Sequence, residues 1–442
     1  MSEMTKGNHL GDAYATTLDR MKAQNGGRSR LGMEALMWVS NSERPLQTSE
    51  LCHALGVKKG STDLDHENIP EIRAILGCSL GLITVEGSTS TVRLVHFTLQ
   101  EYLSDNPSLF QSPHSMIAEI CLTYLNFRCV RELASTLCSA PPTLPLVEYA
   151  SSYWGKHMGR GKASSVTPLA LELLIGFEEH ISSRLLLLQY EENRYRWEPH
   201  FDKNSSPNGF TGLHGAAFLG LGEIVAALLA KKEWDINAVD AIGRTSLAWA
   251  ATESHEDVVK VLLQRKDVNP NVADAEYGRT PLWLAAERSH EGIVKLLLER
   301  EDIDPNTADT AYGRAPLWWA ALHRHEGIVK LLLEREDINP NTADTSTPRY
   351  GRTPLLWAAK GGHEGIAKLL LEREDTNPNT ADTGYGRTPL GWAAEGRHVG
   401  VAKLLLERED TNPNTADTGH GRTPLGWVAE DGHEEVAKLL LE

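Results

Sequence analysis

Tyrosine and arginine recur as a pair, separated by one residue, at nearly constant intervals in the second half of the chain. These two side chains are among those that most often dominate the binding energy of protein interfaces. Their regular return predicts a surface that recognises another molecule, rather than a site that transforms one. The pairs are Tyr277/Arg279, Tyr312/Arg314, Tyr350/Arg352 and Tyr385/Arg387.

The second half of the chain consists of several near-identical copies of one sequence. In each copy a second set of candidate positions follows the dipeptide Ala-Ala, and there the copies differ. Arg288, His323 and Lys360 occupy these positions in three successive copies, whereas the run Leu-Leu-Leu-Glu-Arg barely changes. A constant scaffold with a variable surface is typical of a binding face. An alternative stays open, in which each arginine only pairs with a nearby aspartate such as Asp309 or Asp382.

Tryptophan also recurs, in two neighbouring positions of the copies. Trp283 and Trp318 lie one residue earlier than the others, at a position that we expect to be more exposed, so we add them to the candidate binding residues. The remaining tryptophans immediately precede Ala-Ala or its counterpart, where packing against the next copy is expected. They are Trp249, Trp319, Trp357, Trp392 and Trp427.

Metal and catalytic chemistry is not expected. His-Glu recurs, for example at His290-Glu291 and His325-Glu326, but these pairs lie a full copy apart and cannot converge on one ion. We expect them to cap helices and to hydrogen-bond between copies. His-Glu-x-x-His and the phosphate-binding Gly-x-x-x-x-Gly-Lys-Ser/Thr motif do not occur. The sequence therefore predicts no enzymatic activity, no cofactor and no metal site.

Charge and composition limit the class of partner. The formal net charge of −16 argues against a general binder of nucleic acid or of anionic membranes, because both require basic surface. No run of about 18 apolar residues exists, so no membrane span is predicted. Five cysteines occur without a Cys-x-x-Cys pair, which favours free thiols in a reducing compartment. We expect a cytoplasmic protein whose partners are other proteins.

The copies are defined by a glycine that precedes the first apolar segment of each one. The intervals between these glycines are 34, 35, 35, 38, 35 and 35 residues, a period typical of solenoids built from small helical units. The longest interval contains Ser346-Thr347-Pro348, an insertion that we expect in a loop. The glycines are Gly209, Gly243, Gly278, Gly313, Gly351, Gly386 and Gly421.

Each copy predicts two short helices. In the copy that begins at Gly351, Thr353 can cap the first helix and Pro354 suits its first position. Gly361-Gly362 end this helix, and Glu364 begins an amphipathic second one. Neither helix can bury its apolar residues alone, so the stability must come from contact between neighbouring copies.

The copies resemble ankyrin repeats, whose signature is Thr-Pro-Leu-His-x-Ala-Ala followed by Gly-His and a leucine-rich helix; only His214 keeps the histidine of the first motif. The resemblance implies about seven repeats: 209–242, 243–277, 278–312, 313–350, 351–385, 386–420 and a partial 421–442. It also implies that the loop tips and the residues after Ala-Ala line a concave face that binds proteins. The candidate residues are Tyr277, Arg279, Trp283, Arg288, Tyr312, Arg314, Trp318, His323, Tyr350, Arg352, Lys360, Tyr385 and Arg387.

Residues 31–112 predict a winged helix, that is, three helices followed by a hairpin. A DNA-binding version would need a basic third helix, but this one carries only Arg73, so DNA binding is not expected. The expected helices are 31–39, 47–56 and 69–76, the last with Pro70 at its start, and the expected strands are 82–85 and 91–95.

The stretch from Val92 to Leu103 resembles the end of the winged helix in NACHT-type receptors. The whole chain resembles the C-terminal part of fungal NACHT–ankyrin proteins, a class of intracellular NLR-like receptors. The resemblance implies that His96 could sense a nucleotide held by an upstream NACHT domain, which is absent from this sequence. A packed or capping role is the alternative for His96.

The expected fold is mainly α: an ankyrin-repeat solenoid of about seven repeats, preceded by a winged helix and a helical adaptor. Residues 1–30 read as a helical lead-in. Residues 113–208 read as the adaptor, with one helix over 168–187, and we expect it to cover the outer edge of the first repeat. The resemblance implies a protein–protein interaction module of an NLR-like receptor, with the repeats as the sensing or tethering surface. The alternative is a plain ankyrin scaffold whose N-terminal half is vestigial.

Overall fold

The computed structural model describes residues 4–161, 166–192, 209–231, 234–345 and 351–442. Its contacts divide the chain into two compact units, Met1–Trp234 and Asp235–Glu442. The insertion at residues 346–348, the candidate Tyr350 and residues 193–208, directly before the first repeat, lie outside the described residues.

The first unit begins with a winged helix. Its three strands form one antiparallel sheet in the order β1-β3-β2, and Val85 pairs with Val92 in the hairpin. The apolar core includes Trp38, Leu51 and Leu99, which are fully buried. The elements are α1 (Met4–Lys22), α2 (Gly26–Asn41), β1 (Leu46–Gln47), α3 (Thr48–Gly56), α4 (Ile72–Cys78), β2 (Ile83–Glu86), β3 (Thr91–Leu94) and α5 (Phe97–Asp105).

The prediction of the third helix is wrong at its beginning. Helix α4 begins at Ile72 rather than at Ile69, and Pro70 lies before it. The ring of a proline disfavours helical conformation in the residue that precedes it, so Ile69 stays extended. The sequence also misses strand β1, because its two residues carry no periodic pattern and pair only through their position beside β3.

A bundle of helices completes most of the first unit. The predicted helix over residues 168–187 is two helices, because the chain turns at Gly176 and the 3₁₀ helix Phe177–Glu179. Phe177 is fully buried, so the turn is part of the core. The helices are α6 (Pro113–Leu125), α7 (Arg128–Arg131), α8 (Leu146–Arg160), α9 (Thr167–Leu174) and α10 (Ile181–Glu192).

The first repeat packs on this bundle, with helices α11 (Gly212–Phe218) and α12 (Gly222–Lys231) both in contact with α9. A Cβ atom on Gly212 would overlap the carbonyl oxygen of Leu174, so only glycine permits this approach. The ring of Phe177 lies 6.2 Å from that of Phe210. The first helix pair of the repeats therefore has an apolar neighbour on its N-terminal side.

Six further helix pairs form the second unit, and each helix packs on the equivalent helix of the next pair. Thr353 caps its helix as predicted, since its hydroxyl accepts a hydrogen bond from the N–H of Leu356 at 3.2 Å. The pairs are α13 (Ser246–Thr252) and α14 (Glu256–Leu263), α15 (Pro281–Glu287) and α16 (Glu291–Leu298), α17 (Pro316–Leu322) and α18 (Glu326–Leu333), α19 (Pro354–Gly361) and α20 (Glu364–Leu371), α21 (Pro389–Glu395) and α22 (Val399–Leu406), and α23 (Pro424–Asp431) and α24 (Glu434–Leu441).

Two buried histidines link helices of the first unit. The ring nitrogens of His157 lie 2.9 Å from the Tyr149 hydroxyl and 2.9 Å from Nδ1 of His114, and burial lowers the pKa of His157 to about 3. Nε2 of His180 donates to the carbonyl oxygen of Leu125 at 3.0 Å, and burial lowers the pKa of His180 to about 4. Both imidazoles are therefore neutral in the folded chain near pH 7.

Acid should destabilise the first unit through these two histidines. Both pKa values lie below that of an unfolded histidine, about 6.5. The unfolded chain therefore binds more protons between about pH 6.5 and pH 4, and the free energy of unfolding falls as the pH falls through this window, by roughly 1 kcal/mol per pH unit for each histidine. Urea unfolding of the chain and of His157→Gln at pH 7 and pH 5 measures this. The variant should show a weaker pH dependence, and an unchanged one would contradict the assignment.

Candidate binding surface of the repeats

An aspartate folds the loop tip that carries each Tyr/Arg pair. In the tip before α15, Oδ1 of Asp274 accepts hydrogen bonds from the N–H groups of Tyr277 and Arg279 at 3.0 and 3.1 Å. The glycine between them, Gly278, has φ 67°, a conformation that other residues adopt only with strain. The same arrangement places Tyr385 and His420 in later tips through Asp382 and Asp417.

Neighbouring tips are joined by backbone hydrogen bonds. The N–H of Thr310 donates to the carbonyl oxygen of Tyr277 at 2.6 Å, and the N–H of Thr345 donates to that of Tyr312 at 2.7 Å. A Cβ atom on Gly278 would lie 2.6 Å from the methyl group of Thr310, so the glycine also permits this contact. Within the described residues, these bonds link successive tips along one edge of the second unit.

The arginines of the pairs lie inside the repeats rather than on their surface. Arg279, Arg352 and Arg387 are at most 4% exposed, and Arg314 is half-buried. Arg279 pairs with Asp274, whose Oδ2 lies 2.9 Å from its Nε. Arg387 lies near Asp417 and contacts Glu395, whereas Asp382 accepts instead from the indole N–H of Trp392.

Each of these guanidinium groups also lies over the face of at least one tryptophan. Arg314 lies 4.4 Å from the ring centre of Trp318, and Arg387 lies 4.4 Å from that of Trp392 and 4.1 Å from that of Trp427. Such cation–π contacts are strongest where water is excluded, and are then worth about 2 kcal/mol. Arg387 contacts tryptophans of two successive repeats, so it helps to hold those repeats together.

The expectation that Trp283 and Trp318 are more exposed than the other tryptophans is wrong. They are 2% and 1% exposed. Their indole N–H groups donate to the backbone carbonyl oxygens of Arg314 and Arg352 in the next repeat, at 2.8 Å each. The third position of the first helix, which Trp283 and Trp318 occupy, faces the neighbouring repeat. At the next position along the helix, which carries the other repeat tryptophans, Trp319 is only partly buried.

A smaller group of candidates reaches solvent. Tyr312 is 45% exposed and Tyr385 is 43% exposed, whereas Tyr277 is half-buried. The exposed ring of His323 stacks on Trp319, with ring centres 5.1 Å apart and planes 2° from parallel. These side chains combine accessibility with a fixed position, which lowers the entropy lost on binding.

Lys360 is the first residue after Ala-Ala in its repeat and Arg288 is the second in another, and both are half-buried. Nζ of Lys360 lies 4.4 Å from the ring centre of Trp392 and 5.5 Å from that of Trp357. Burial lowers the pKa of Lys360, and the nearby Arg352 lowers it further. Within the described residues, Tyr312, Tyr385 and His323 are therefore the exposed members of the candidate set, and Tyr277, Arg288, Arg314 and Lys360 are its partly accessible members.

The histidines of the His-Glu pairs hydrogen-bond between repeats, as expected. Nε2 of His290 lies 3.1 Å from the carbonyl oxygen of Thr252, and Nδ1 of His433 lies 3.0 Å from that of Ala394. Each imidazole thus binds the end of the first helix in the preceding repeat. No cluster of three or more His, Cys, Asp or Glu side chains with metal-binding geometry occurs among the described residues.

One sequence motif of hydrolases, Gly-x-Ser-x-Gly, does occur, at Gly77-Cys78-Ser79-Leu80-Gly81. In hydrolases this motif exposes the serine at a sharp turn between a strand and a helix. Here the motif overlaps the end of α4, and Ser79 is fully buried with its hydroxyl donating to the carbonyl oxygen of Leu76 at 2.9 Å. Ser79 is a helix-end residue and not an accessible nucleophile.

The imidazole of His96 caps a helix of the winged helix. It precedes α5, and its Nδ1 accepts a hydrogen bond from the N–H of Thr98 at 3.3 Å and lies 2.8 Å from the Thr98 hydroxyl. His96 and the adjacent Phe97 are exposed. The structure thus gives His96 a capping contact, with its ring at the surface.

Two series of polar residues that the sequence analysis does not single out connect the repeats along the other side. Nη1 of Arg335 donates to the carbonyl oxygens of Leu298 and Arg300 in the preceding repeat, at 3.2 and 3.1 Å. Arg300, Arg373 and Arg408 make the same contacts. Asparagines form a parallel ladder, in which the side chain of Asn306 binds Asp337 and Asn339 of the next repeat. The recurrence of this arginine from the second to the sixth copy, and of this asparagine from the first to the sixth, is the sequence signal for both series.

Family models match both parts of the chain. A model for ankyrin repeats (3 copies) matches residues 182–274, 265–344, 338–417 and 375–442. A model for the winged helix domain of GPI inositol-deacylase matches residues 18–115. The mainly helical fold with ankyrin repeats and an N-terminal winged helix is confirmed.

No curated protein matches this chain. The chain is similar to the ankyrin repeat domain of Bcl-3, a protein described as a unique member of the IkappaB family, at 22% sequence identity. The match covers 53% of this chain and 100% of that chain, with a TM-score of 0.46. Among the described residues, none of the helices has the length and apolar character needed to cross a membrane.

Loss of one arginine of the carbonyl-binding series should destabilise the array. Arg335→Ala leaves the carbonyl oxygens of Leu298 and Arg300 without these donors, which should lower the free energy of unfolding by about 1–3 kcal/mol. Arg265→Ala is the matched control, because Arg265 occupies the same repeat position and is exposed, and within the described residues its side chain bonds only to Asp267. Urea unfolding of both variants measures this, and equal effects would contradict the role of the carbonyl contacts.

Proposed function

Because the chain belongs to the ankyrin-repeat family, we propose that residues 235–442 bind another protein through their loop tips and the residues after Ala-Ala. The observation that supports this best is the group of accessible, fixed side chains on an otherwise buried Arg/Trp framework. Tyr312 and Tyr385 project from the tips, while His323 and Lys360 lie against tryptophans. Aromatic and cationic residues in fixed positions are typical of binding hot spots.

The buried candidates act in this proposal as the support of the surface. Arg279, Arg352 and Arg387 hold the tips and the tryptophans in place, and Trp283 and Trp318 tie each repeat to the next. A partner would therefore contact the tyrosines and the residues after Ala-Ala directly, and depend on the arginines only through the shape of the tips. No catalytic role or cofactor is part of this function.

We further propose that the chain acts within a cytoplasmic receptor of the fungal NACHT–ankyrin, NLR-like class. The similarity of residues 18–115 to a winged helix model and the exposed His96-Phe97 pair support this assignment. In such a receptor, a protein bound to the repeats would bias signalling by the rest of the molecule. Nucleotide would enter only through an upstream NACHT domain that contacts His96. Nucleic acid and membrane are not proposed as partners.

The second candidate is a plain ankyrin scaffold that needs only its repeats. The division of the chain between Trp234 and Asp235 favours this scaffold, because the second unit is compact by itself. Comparing cells that carry the full chain with cells that carry His96→Ala/Phe97→Ser separates the two. A receptor should lose its signalling response while keeping its bound proteins, whereas a scaffold should keep both.

Removal of the exposed tyrosines should abolish partner binding without unfolding the repeats. Tyr312→Ser/Tyr385→Ser changes only tip side chains, so we expect an unfolding midpoint within error of that of the parent chain and a loss of bound protein of about tenfold or more, since hot-spot residues are worth about 2 kcal/mol each. Affinity purification followed by quantitative mass spectrometry measures the loss. Glu299→Ser/Glu372→Ser, at exposed ends of second helices, is the control. The proposal is contradicted when the tyrosine variant and the control retain the same proteins.

A further inference from the structure

Arg314 differs from other arginines of the loop tips in its ion pairs and in its burial. Arg279 lies 2.9 Å from Asp274, Arg387 lies 3.5 Å from Asp417, and both arginines are 4% exposed. Arg314 is half-buried, and within the described residues its guanidinium group forms neither an ion pair nor a hydrogen bond. The repeat that begins at residue 313 therefore has a partly accessible positive charge without a partner.

The sequence explains why Arg314 lacks a carboxylate of its own repeat. In two later repeats, the arginine of the tip contacts a glutamate eight residues further along the chain. These pairs are Arg387–Glu395 and Arg422–Glu430. The residue eight positions after Arg314 is Leu322, which has no acceptor in its side chain. One carboxylate of the repeated arrangement is thus missing from this repeat.

Two aspartates lie near Arg314 without replacing the missing glutamate. Burial lowers the pKa of Arg314, and the negative charges of Asp344 and Asp309 partly offset this effect. Among the described residues, however, neither aspartate forms an ion pair with it. Their presence does not exclude a further carboxylate, because Arg387 contacts its glutamate while an aspartate also lies 3.5 Å away.

The same repeat contains other buried polar atoms that are not paired. In three other repeats, the indole N–H of the tryptophan before Ala-Ala or its counterpart donates to the aspartate of the tip, at 2.7 or 2.8 Å. These pairs are Trp249–Asp240, Trp392–Asp382 and Trp427–Asp417. Nε1 of Trp319 and Oδ2 of Asp309 are both buried and have no hydrogen-bond partner in the described part of the chain. Because buried polar groups are nearly always paired, this tip is incomplete by itself.

Aromatic rings hold the guanidinium group of Arg314 in place. Its Cζ atom lies 4.2 Å from the ring centre of Tyr312. The ring centres of Trp318 and Trp319 lie 4.4 and 5.2 Å away. The exposed side chains beside this group are Tyr312 and His323, and His323 is stacked on Trp319. A fixed cation loses little conformational entropy on binding, and its partly buried position reduces the screening of its attraction for an anion.

We propose that Arg314 binds a carboxylate of the partner protein, in the place that glutamate occupies in the later repeats. The carboxylate belongs to an acidic side chain or to the C-terminus of the partner. Glu430 shows the geometry, because both of its carboxylate oxygens contact the guanidinium group of Arg422. This proposal rests on the proposed protein-binding function and specifies the chemistry that the partner presents to one repeat.

Titration of the full chain with small carboxylates tests the proposal directly. The arginines are labelled with nitrogen-15, and the Nε–H resonance of Arg314 is identified by its loss in Arg314→Lys. The α-amide of N-acetylglutamate represents an acidic side chain, and N-acetylalanine represents a C-terminus. The α-amide of N-acetylglutamine is the neutral probe, and inorganic phosphate is a different anion.

At least one of the two carboxylates should shift the resonance of Arg314 in a saturable manner. It should do so at about tenfold lower concentration than the neutral amide or phosphate, because a carboxylate forms charge-assisted, bidentate hydrogen bonds with arginine. The more effective carboxylate then identifies the source, side chain or C-terminus. An equal response to the neutral amide or to phosphate, or no saturable shift with either carboxylate, overturns the proposal.

Leu322→Glu supplies the missing carboxylate within the chain, and Leu322→Gln is the uncharged control of the same shape. Leu322 is half-buried at the end of α17, so both side chains reach solvent. The glutamate variant should unfold at a higher midpoint than the control and bind the carboxylate probe about tenfold more weakly, because its own carboxylate occupies Arg314. Equal affinity of the two variants overturns the proposal. If the glutamate variant does not fold, the titration of the parent chain decides alone.

The proposed function fails independently of this inference. If Tyr312→Ser/Tyr385→Ser loses its bound proteins while neither carboxylate shifts the resonance of Arg314, the repeats bind a protein without using this arginine, and the inference is overturned. If a carboxylate binds to Arg314 and the tyrosine variant keeps all its proteins, the carboxylate site stands and the proposed role of the tips is overturned.

Discussion

Each second helix of residues 235–442 is eight residues long, so half of its carbonyl groups have no partner within the helix. The next repeat supplies one such partner, because its arginine donates to the last carbonyl oxygen of the helix and to a second carbonyl oxygen two residues beyond it, and pairs with an aspartate two residues further on. Histidine does the same at the ends of several first helices, as where His290 binds the carbonyl oxygen of Thr252. A single repeat thus leaves polar backbone groups unsatisfied, and the fold is stable only as a succession of neighbours.

The same dependence explains why few of the conspicuous aromatic and cationic residues are accessible. A tryptophan in the third position of a first helix donates to the backbone of the next repeat, and an arginine behind a loop tip lies between tryptophans of two repeats. Each of these contacts joins two copies. What remains for recognition is the set whose side chains extend beyond this framework, namely the tip tyrosines and the residues of the turns.

Much of the fold follows from the sequence, because a period repeated seven times is a strong signal and threonine, proline and glycine mark the helix ends. The exposure of individual residues does not follow. Trp283 and Trp319 differ by one helical position, and only the packing of the neighbouring repeat decides which ring is covered. Arg324 has φ 63° in the turn between its two helices, and this left-handed conformation is likewise invisible in the sequence, since arginine gives no indication of positive φ. In the first unit, β1 and the break after α9 arise from tertiary contacts without a local pattern.

Deletion of one internal repeat tests the dependence on neighbours most directly. Removing residues 386–420 joins Tyr385 to Gly421, so the repeats on either side meet through the same kinds of contact that the deleted one supplied. The account predicts that the shortened chain keeps its helical content per residue by circular dichroism and unfolds cooperatively, with a lower free energy of unfolding. Collapse of the helical signal throughout the second unit would contradict it, because that result belongs to a domain with one indivisible core.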